Sequence, residues 1–202
     1  MPGSPTHDPG APKLGSVRVI AGAAKGRRLA APPAGVRPVS DRVREGIFSS
    51  LGTRVVGAAV LDLYAGTGAM GIEALSRGAE RATFVDRSPA SGRTIAQNLD
   101  RTGLGERARV SLRDARAFLE GNDIGGPFDL AIVDPPYEVD VAQLGPVLEA
   151  LATRALPEDD WTVVLTRRAK SSTPVIPINW LAARRLDYGD SLVTLFRPAR
   201  RP

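Results

Sequence analysis

The sequence contains no cysteine and a single histidine, His7. Without cysteine there is no disulfide, no thiolate metal ligand and no thiol nucleophile. One histidine near the N-terminus gives no histidine pair for a metal and argues against histidine acid–base chemistry. No run of about 18 apolar residues occurs, which excludes a membrane-spanning helix. The first 16 residues, MPGSPTHDPGAPKLGS, lack the apolar stretch of a secretory signal and hold four prolines and three glycines. A disordered tail over 1–16 and a cytoplasmic location are therefore expected. Aromatics make up 5% of the chain, too few for an extended base-stacking platform.

What is abundant is positive charge in one place. The net charge is +5 over 202 residues. From Val17 to Arg44 there are seven basic residues (Arg18, Lys25, Arg27, Arg28, Arg37, Arg42, Arg44) against one acid, Asp41. A second basic group comes late, at Arg167, Arg168, Lys170, Arg184 and Arg185. Any one arginine is ordinary solvated surface, but clustering of this kind favours a polyanion, most commonly a phosphate backbone.

The hydrophobic pattern predicts a compact α/β domain. VRVIAG and RRLAAP read as two short strands of a basic hairpin over 17–36. Ser40 then caps a helix whose Val43, Ile47, Phe48 and Leu51 share one face. From residue 59 strands alternate with helices: strands over 59–64, 81–86, 108–114, 128–134 and 161–166, helices over 69–77, 89–101, 115–120 and 141–153. Two further strand-like arms flank Tyr188-Gly189-Asp190 and predict a closing hairpin. The sum is a doubly wound, mostly parallel seven-stranded sheet over 37–202, with ligands at the C-terminal strand ends.

The loop GTGAMG, Gly66 to Gly71, fits the dinucleotide pattern G-x-G-x-x-G, and Asp86 lies where a ribose-binding acid belongs. The pattern alone does not choose between cofactors. Asp62, just before the loop, suits the ammonium of S-adenosylmethionine better than a pyrophosphate. Asp86 suits a ribose in either cofactor. Asp114 either accepts from an adenine amine or caps the next helix. The deciding segment is Asp134-Pro135-Pro136-Tyr137 at the fourth strand end. Two prolines end the ladder and turn the chain over the sheet edge. A carboxylate and the Pro135 carbonyl then offer two acceptors to an –NH2 group, and Tyr137 offers a ring for a flipped-out base. This is the equipment to transfer a methyl group to an exocyclic amine by positioning and electrostatics, with no metal.

The blocks RPVSDRVREGIF, DLYAGTGAMGIEALSRGA, FVDRS, RDA and DPPY resemble the bacterial methyltransferases that modify N2 of a guanine in 16S ribosomal RNA. The resemblance runs from Val17 to Arg197 and implies a Rossmann-like methyltransferase sheet. It implies that Asp62, Tyr64, Ala65, Gly66, Thr67 and Gly68 hold the methionine part of S-adenosylmethionine. Asp86 and Arg87 would then meet the ribose, Asp114 and Ala115 the adenine, and Asp134, Pro135, Pro136 and Tyr137 the target amine. Arg18, Lys25, Arg27, Arg28, Arg37 and Arg42 would meet RNA. The implied partner is 16S rRNA in an assembled or assembling 30S subunit, and the implied state a monomer.

Three positions depart from that family pattern. Val39 follows Arg37-Pro38 where threonine is usual, Gly46 replaces an alanine at about 1 kcal/mol of helix stability, and Thr166 stands where a glutamate is frequent. The tripeptide Tyr188-Gly189-Asp190 matches. A DNA adenine-N6 methyltransferase would share the DPPY chemistry, a protein-glutamine methyltransferase usually carries Asn at the Asp134 position, and an NAD oxidoreductase lacks a substrate domain here. A non-catalytic RNA-binding assembly factor is the reading from another class.

Overall fold

The computed structural model describes residues 17–32, 39–172 and 174–199. The expected tail over 1–16, the connector over 33–38 and with it Arg37 lie outside the described residues. In chain order the elements are α1 (Asp41–Leu51), β1 (Ala59–Leu63), α2 (Ala69–Ser76), β2 (Arg81–Val85), α3 (Pro89–Thr102) and β3 (Ala108–Ser111). They continue with α4 (Ala115–Leu119), β4 (Leu130–Val133), α5 (Val141–Arg154), β5 (Thr162–Arg168), β6 (Trp180–Tyr188) and β7 (Ser191–Pro198). No helix among the described residues is long and apolar enough to cross a membrane.

The seven strands form one sheet in the order β3-β2-β1-β4-β5-β7-β6. β1 to β5 pair in parallel, and β7 runs antiparallel to both its neighbours. The chain winds outward from β1 to β3, then returns to lay β4 on the other side of β1. That reversal opens a crevice at the C-terminal ends of β1 and β4, where ligands of doubly wound sheets bind. One core, under the sheet face covered by α1, α2 and α3, includes Ile47, Phe48, Ile72 and Ile95. The other, under α4 and α5, includes Phe118, Leu148, Leu151 and Trp161.

The capping residues set the helix starts. Ser40, Ser88, Asp114 and Asp140 each accept an amide of the following first turn, as N-cap side chains do. Strand ends are tighter than the apolar runs predict. β1 stops at Leu63 because Tyr64 takes a left-handed φ of 62°, and β3 stops at Ser111.

The N-terminal segment folds back on itself in a minimal antiparallel pair. Arg18 bridges Arg28, the Val19 amide donates to the Arg27 carbonyl at 3.0 Å and the Leu29 amide to the Val17 carbonyl at 2.8 Å. Amides beyond the pair have partners on the main fold. Glu73 on α2 accepts the amides of Ile20 at 2.7 Å and Ala21 at 3.1 Å, Ser76 accepts that of Ala24, and Asn98 accepts that of Ala30. Val17, Val19, Ala24 and Leu29 are buried in the first core. The loop is thus bound onto α2 and α3 and shares the core of the main fold.

Arg44 is a correction. Counted among the basic residues of the surface run, it is fully buried. Its Nη2 donates to the Arg18 carbonyl at 2.6 Å and to Asp41 at 2.7 Å, and its Nη1 lies 3.9 Å from Glu73. Gly46 likewise has a packing reason: a β-carbon there would overlap the Tyr188 hydroxyl.

Candidate active site

The crevice at the switch point holds a cavity of about 770 Å³, a size suited to a small molecule plus part of a second. One end is built by the loops after β1, β2 and β3. The loop after β1 brings Tyr64, Ala65, Gly66 and Thr67 to the wall, that after β2 Asp86 and Arg87, and that after β3 Asp114 and Ala115. The other end is built by the turn Asp134 to Tyr137 after β4, by Val39, Ser40 and Val43 at the start of α1, and by Tyr188 and Asp190 from the β6–β7 tip.

The glycine loop is held from below. Asp62 is buried under it, and its Oδ2 accepts the Gly71 amide at 2.9 Å. Asp62 and Gly68 are therefore behind the cavity wall, whereas the sequence reading put them in contact with cofactor. Gly68 caps α2 at φ 75°, a conformation glycine takes without strain. Gly71 has no room for a side chain, since a β-carbon would overlap the Phe84 ring. This third glycine is there for the packing of α2 on β2.

Asp86 ties the β2 end to the glycine loop. Its Oδ2 accepts the Gly66 amide at 2.8 Å, and its Oδ1 accepts the Ser88 amide at 2.8 Å. Gly68 donates its amide to the Ala65 carbonyl at 2.7 Å. The three glycine amides of the motif thus have intramolecular acceptors, two of them carboxylates. The motif glycines therefore offer a pyrophosphate no free amide of their own. The loop fits S-adenosylmethionine: a carboxylate is left with free lone pairs for a ribose diol, and the acidic wall favours a sulfonium and an ammonium. Asp114 Oδ1 caps α4 through the amides of Arg116 at 2.9 Å and Ala117 at 3.3 Å. That leaves Oδ2 for an adenine amine, so both roles considered for this residue are open to it.

Burial shapes the electrostatics. It raises the Asp62 carboxyl well above the usual range; the Gly71 amide opposes this, while Asp134 and Asp86 reinforce it. Burial pushes Asp134 up to about 7, with Thr166 pulling the other way. Burial pushes the Tyr64 phenol up to about 12, helped by Asp114 and opposed by Arg87. The target end thus carries a carboxyl able to exchange a proton near neutral pH.

Pro135 is buried, Asp134 is half-buried, and Pro136 and Tyr137 are exposed at the mouth. The Arg168 guanidinium lies 5.9 Å from the centre of the Tyr137 ring. A family model described as "Conserved hypothetical protein 95" matches residues 17–197. The chain belongs to this family, the RsmD-type methyltransferases. It is 33% identical to ribosomal RNA small subunit methyltransferase D of Escherichia coli (strain K12), over 91% of this chain and 90% of that protein. It is 34% identical to YlbH of Bacillus subtilis (strain 168), over 90% of this chain and 98% of that one. Among solved structures, the Escherichia coli protein yhhF aligns with a TM-score of 0.80 at 33% identity, covering 91% of this chain and 98% of its own.

The methyltransferase fold of this family brings together the predicted residues after β1, β2, β3 and β4. It does not bring the basic residues into the cavity. Arg18, Lys25, Arg27, Arg28 and Arg42 are exposed, and among the described residues only Arg18 of these pairs with an acid, Asp41 at 3.7 Å. Sequence reasoning missed Arg113, Arg116, Tyr188 and Asp190 in the wall. The matching YGD tripeptide was a usable signal for the last two. Among the described residues no cluster of three or more acidic or histidine side chains is placed to hold a metal.

Proposed function

We propose that the chain transfers a methyl group from S-adenosylmethionine to the exocyclic N2 of a guanine in 16S rRNA, acting as a monomer on the 30S subunit. The observation that carries this reading is the turn Asp134-Pro135-Pro136-Tyr137 in the wall of the same cavity as a glycine loop capped by carboxylates. The name of the Escherichia coli relative supplies the ribosomal substrate.

Tyr64 to Thr67, Asp86 and Asp114 hold the cofactor, with Asp62 fixing the loop from behind. Bound S-adenosylmethionine supplies the methyl group, activated as a sulfonium. The flipped guanine lies on the Tyr137 ring and gives its two N2 hydrogens to the Asp134 carboxylate and the Pro135 carbonyl. Those acceptors draw the nitrogen lone pair out of the ring system and aim it. N2 loses one proton on methylation, and Asp134, poised near neutrality, receives it and passes it to water. Arg18, Lys25, Arg27, Arg28 and Arg42 meet the backbone phosphates around the target.

Asp134→Ala tests this. Transfer to 30S subunits is expected to fall by at least about a hundredfold, while calorimetric binding of S-adenosylhomocysteine stays within a few fold. A variant that methylates at the wild-type rate refutes the role of Asp134.

A further inference from the structure

Thr166 ends the apolar part of β5 and lies in the cavity wall, yet only 5% of it is exposed. Its Oγ1 is buried without a hydrogen-bond partner. A buried hydroxyl without a partner is unfavourable, and in a native fold it points to an interaction that completes in a working state. Its position names the partner. β4 and β5 pair in parallel up to Val133 with Leu165. Extended by one residue, that register sets Asp134 beside Thr166 at the C-terminal ends of two interior strands.

We infer that the Thr166 hydroxyl is the positioning donor for Asp134: it hydrogen-bonds the carboxylate, fixes which oxygen faces the target amine, and keeps the group ionised. The inference rests on the reading of Asp134 given above and assigns the neighbour that tunes it. Hydrogen bonds of catalytic groups are often long or poorly aligned in the free enzyme and tighten when the site fills, so the hydroxyl already acts on Asp134 in the free protein, outside ideal geometry, and closes on it in the working state. The downward pull of Thr166 on the Asp134 carboxyl agrees in sign. A threonine also does here what a glutamate could not. A second carboxylate beside Asp134 and Asp62 would push Asp134 toward the protonated form, whereas a hydroxyl donates to it.

The other charged and titratable groups around Asp134 are Asp62 beneath it, Tyr137 and Glu138 on its own turn, Arg168 against Tyr137, and Tyr188 and Asp190 at the hairpin tip. Thr166→Val leaves all of these in place. It removes the hydroxyl with little change of shape, and Thr166→Ser restores the hydroxyl without the methyl group.

The test is a direct titration of the Asp134 side-chain carboxyl by carbon-13 NMR, with the resonance assigned by its loss in Asp134→Asn. Thr166→Val is expected to move the titration upward by about one pH unit, with Thr166→Ser returning it close to wild type. An unchanged titration in Thr166→Val and in a second variant, Thr166→Ala, overturns the inference. This readout needs no substrate, so it stands even if Asp134 proves not to be catalytic. The acid limb of the methyl-transfer rate, measured in parallel, tests that separate point: it moves with the titration if Asp134 works as the carboxylate, and stays put if it does not.

Discussion

Asp134 carries opposite demands. Its carboxyl is pushed up to about 7 by burial, against about 3.9 in an unfolded chain. The folded state therefore binds the proton more tightly than the unfolded one. Stability from this group is full below the unfolded value and falls as pH rises toward 7, with a total loss of about 4 kcal/mol. Asp134→Asn removes that penalty at a small change of shape. It is expected to raise the melting temperature at pH 8, with the gain vanishing near pH 3, while methyl transfer is lost. Scanning calorimetry across that range checks this, and a variant that melts lower than wild type at pH 8 contradicts it. The same group should set an acid limb near pH 7 in kcat/KM, because only its ionised form can take the N2 proton. A cation beside a carboxylate favours ionisation. The preference for the sulfonium cofactor over neutral S-adenosylhomocysteine should therefore grow as pH rises through 7, which competition binding at pH 6 and pH 8 measures.

At the level of elements, two glycines show what packing decides. Gly71 lets α2 approach β2, and a β-carbon there would overlap the Phe84 ring. Gly71→Ala is expected to destabilise the fold by about 1–3 kcal/mol through overpacking and to weaken cofactor binding, because Asp62 is tied to the same amide. Denaturant midpoints and cofactor titration read both effects. Gly46 gives room to the Tyr188 hydroxyl, so Gly46→Ala shifts the wall of the target end and should raise KM for the RNA more than it lowers stability. The sequence made the glycine loop, the helix caps and the Asp134 turn legible, because each has a local signature in residue type and spacing. Asp62 was legible as a loop acid but not as a buried one. Its partner, the Gly71 amide, becomes visible only once α2 lies on the sheet. Arg44 read as surface charge because its burial depends on Glu73 from a different helix. The N-terminal hairpin was legible in the alternation of Val17, Val19 and Leu29, and its ladder is short because α2 side chains take the amides of Ile20, Ala21 and Ala24 beyond it.

For the molecule as a whole, the buried Glu73 is the point where the basic loop, α1 and the cofactor half meet. It accepts from Ile20, Ala21 and Arg77 and lies beside Arg44. Glu73→Ala leaves a buried guanidinium without that partner and should cost about 3–5 kcal/mol, a large share of the stability of a typical domain, read as a drop in the urea midpoint. The exposed side chains of the loop should act differently. Arg27→Ala with Arg28→Ala is expected to leave melting unchanged and to flatten the salt dependence of RNA binding, by about 0.7–0.9 in log–log slope for each phosphate contact removed. The reaction proposed above for this cavity is methylation of N2 of one guanine in small-subunit RNA. The most direct test incubates unmethylated 30S subunits with the protein and S-adenosylmethionine and maps the product by nucleoside mass spectrometry. Wild-type protein is expected to give N2-methylguanosine at a single 16S position and Asp134→Ala none; methyl label on another base or another atom, or none from the wild type, would refute the proposed reaction.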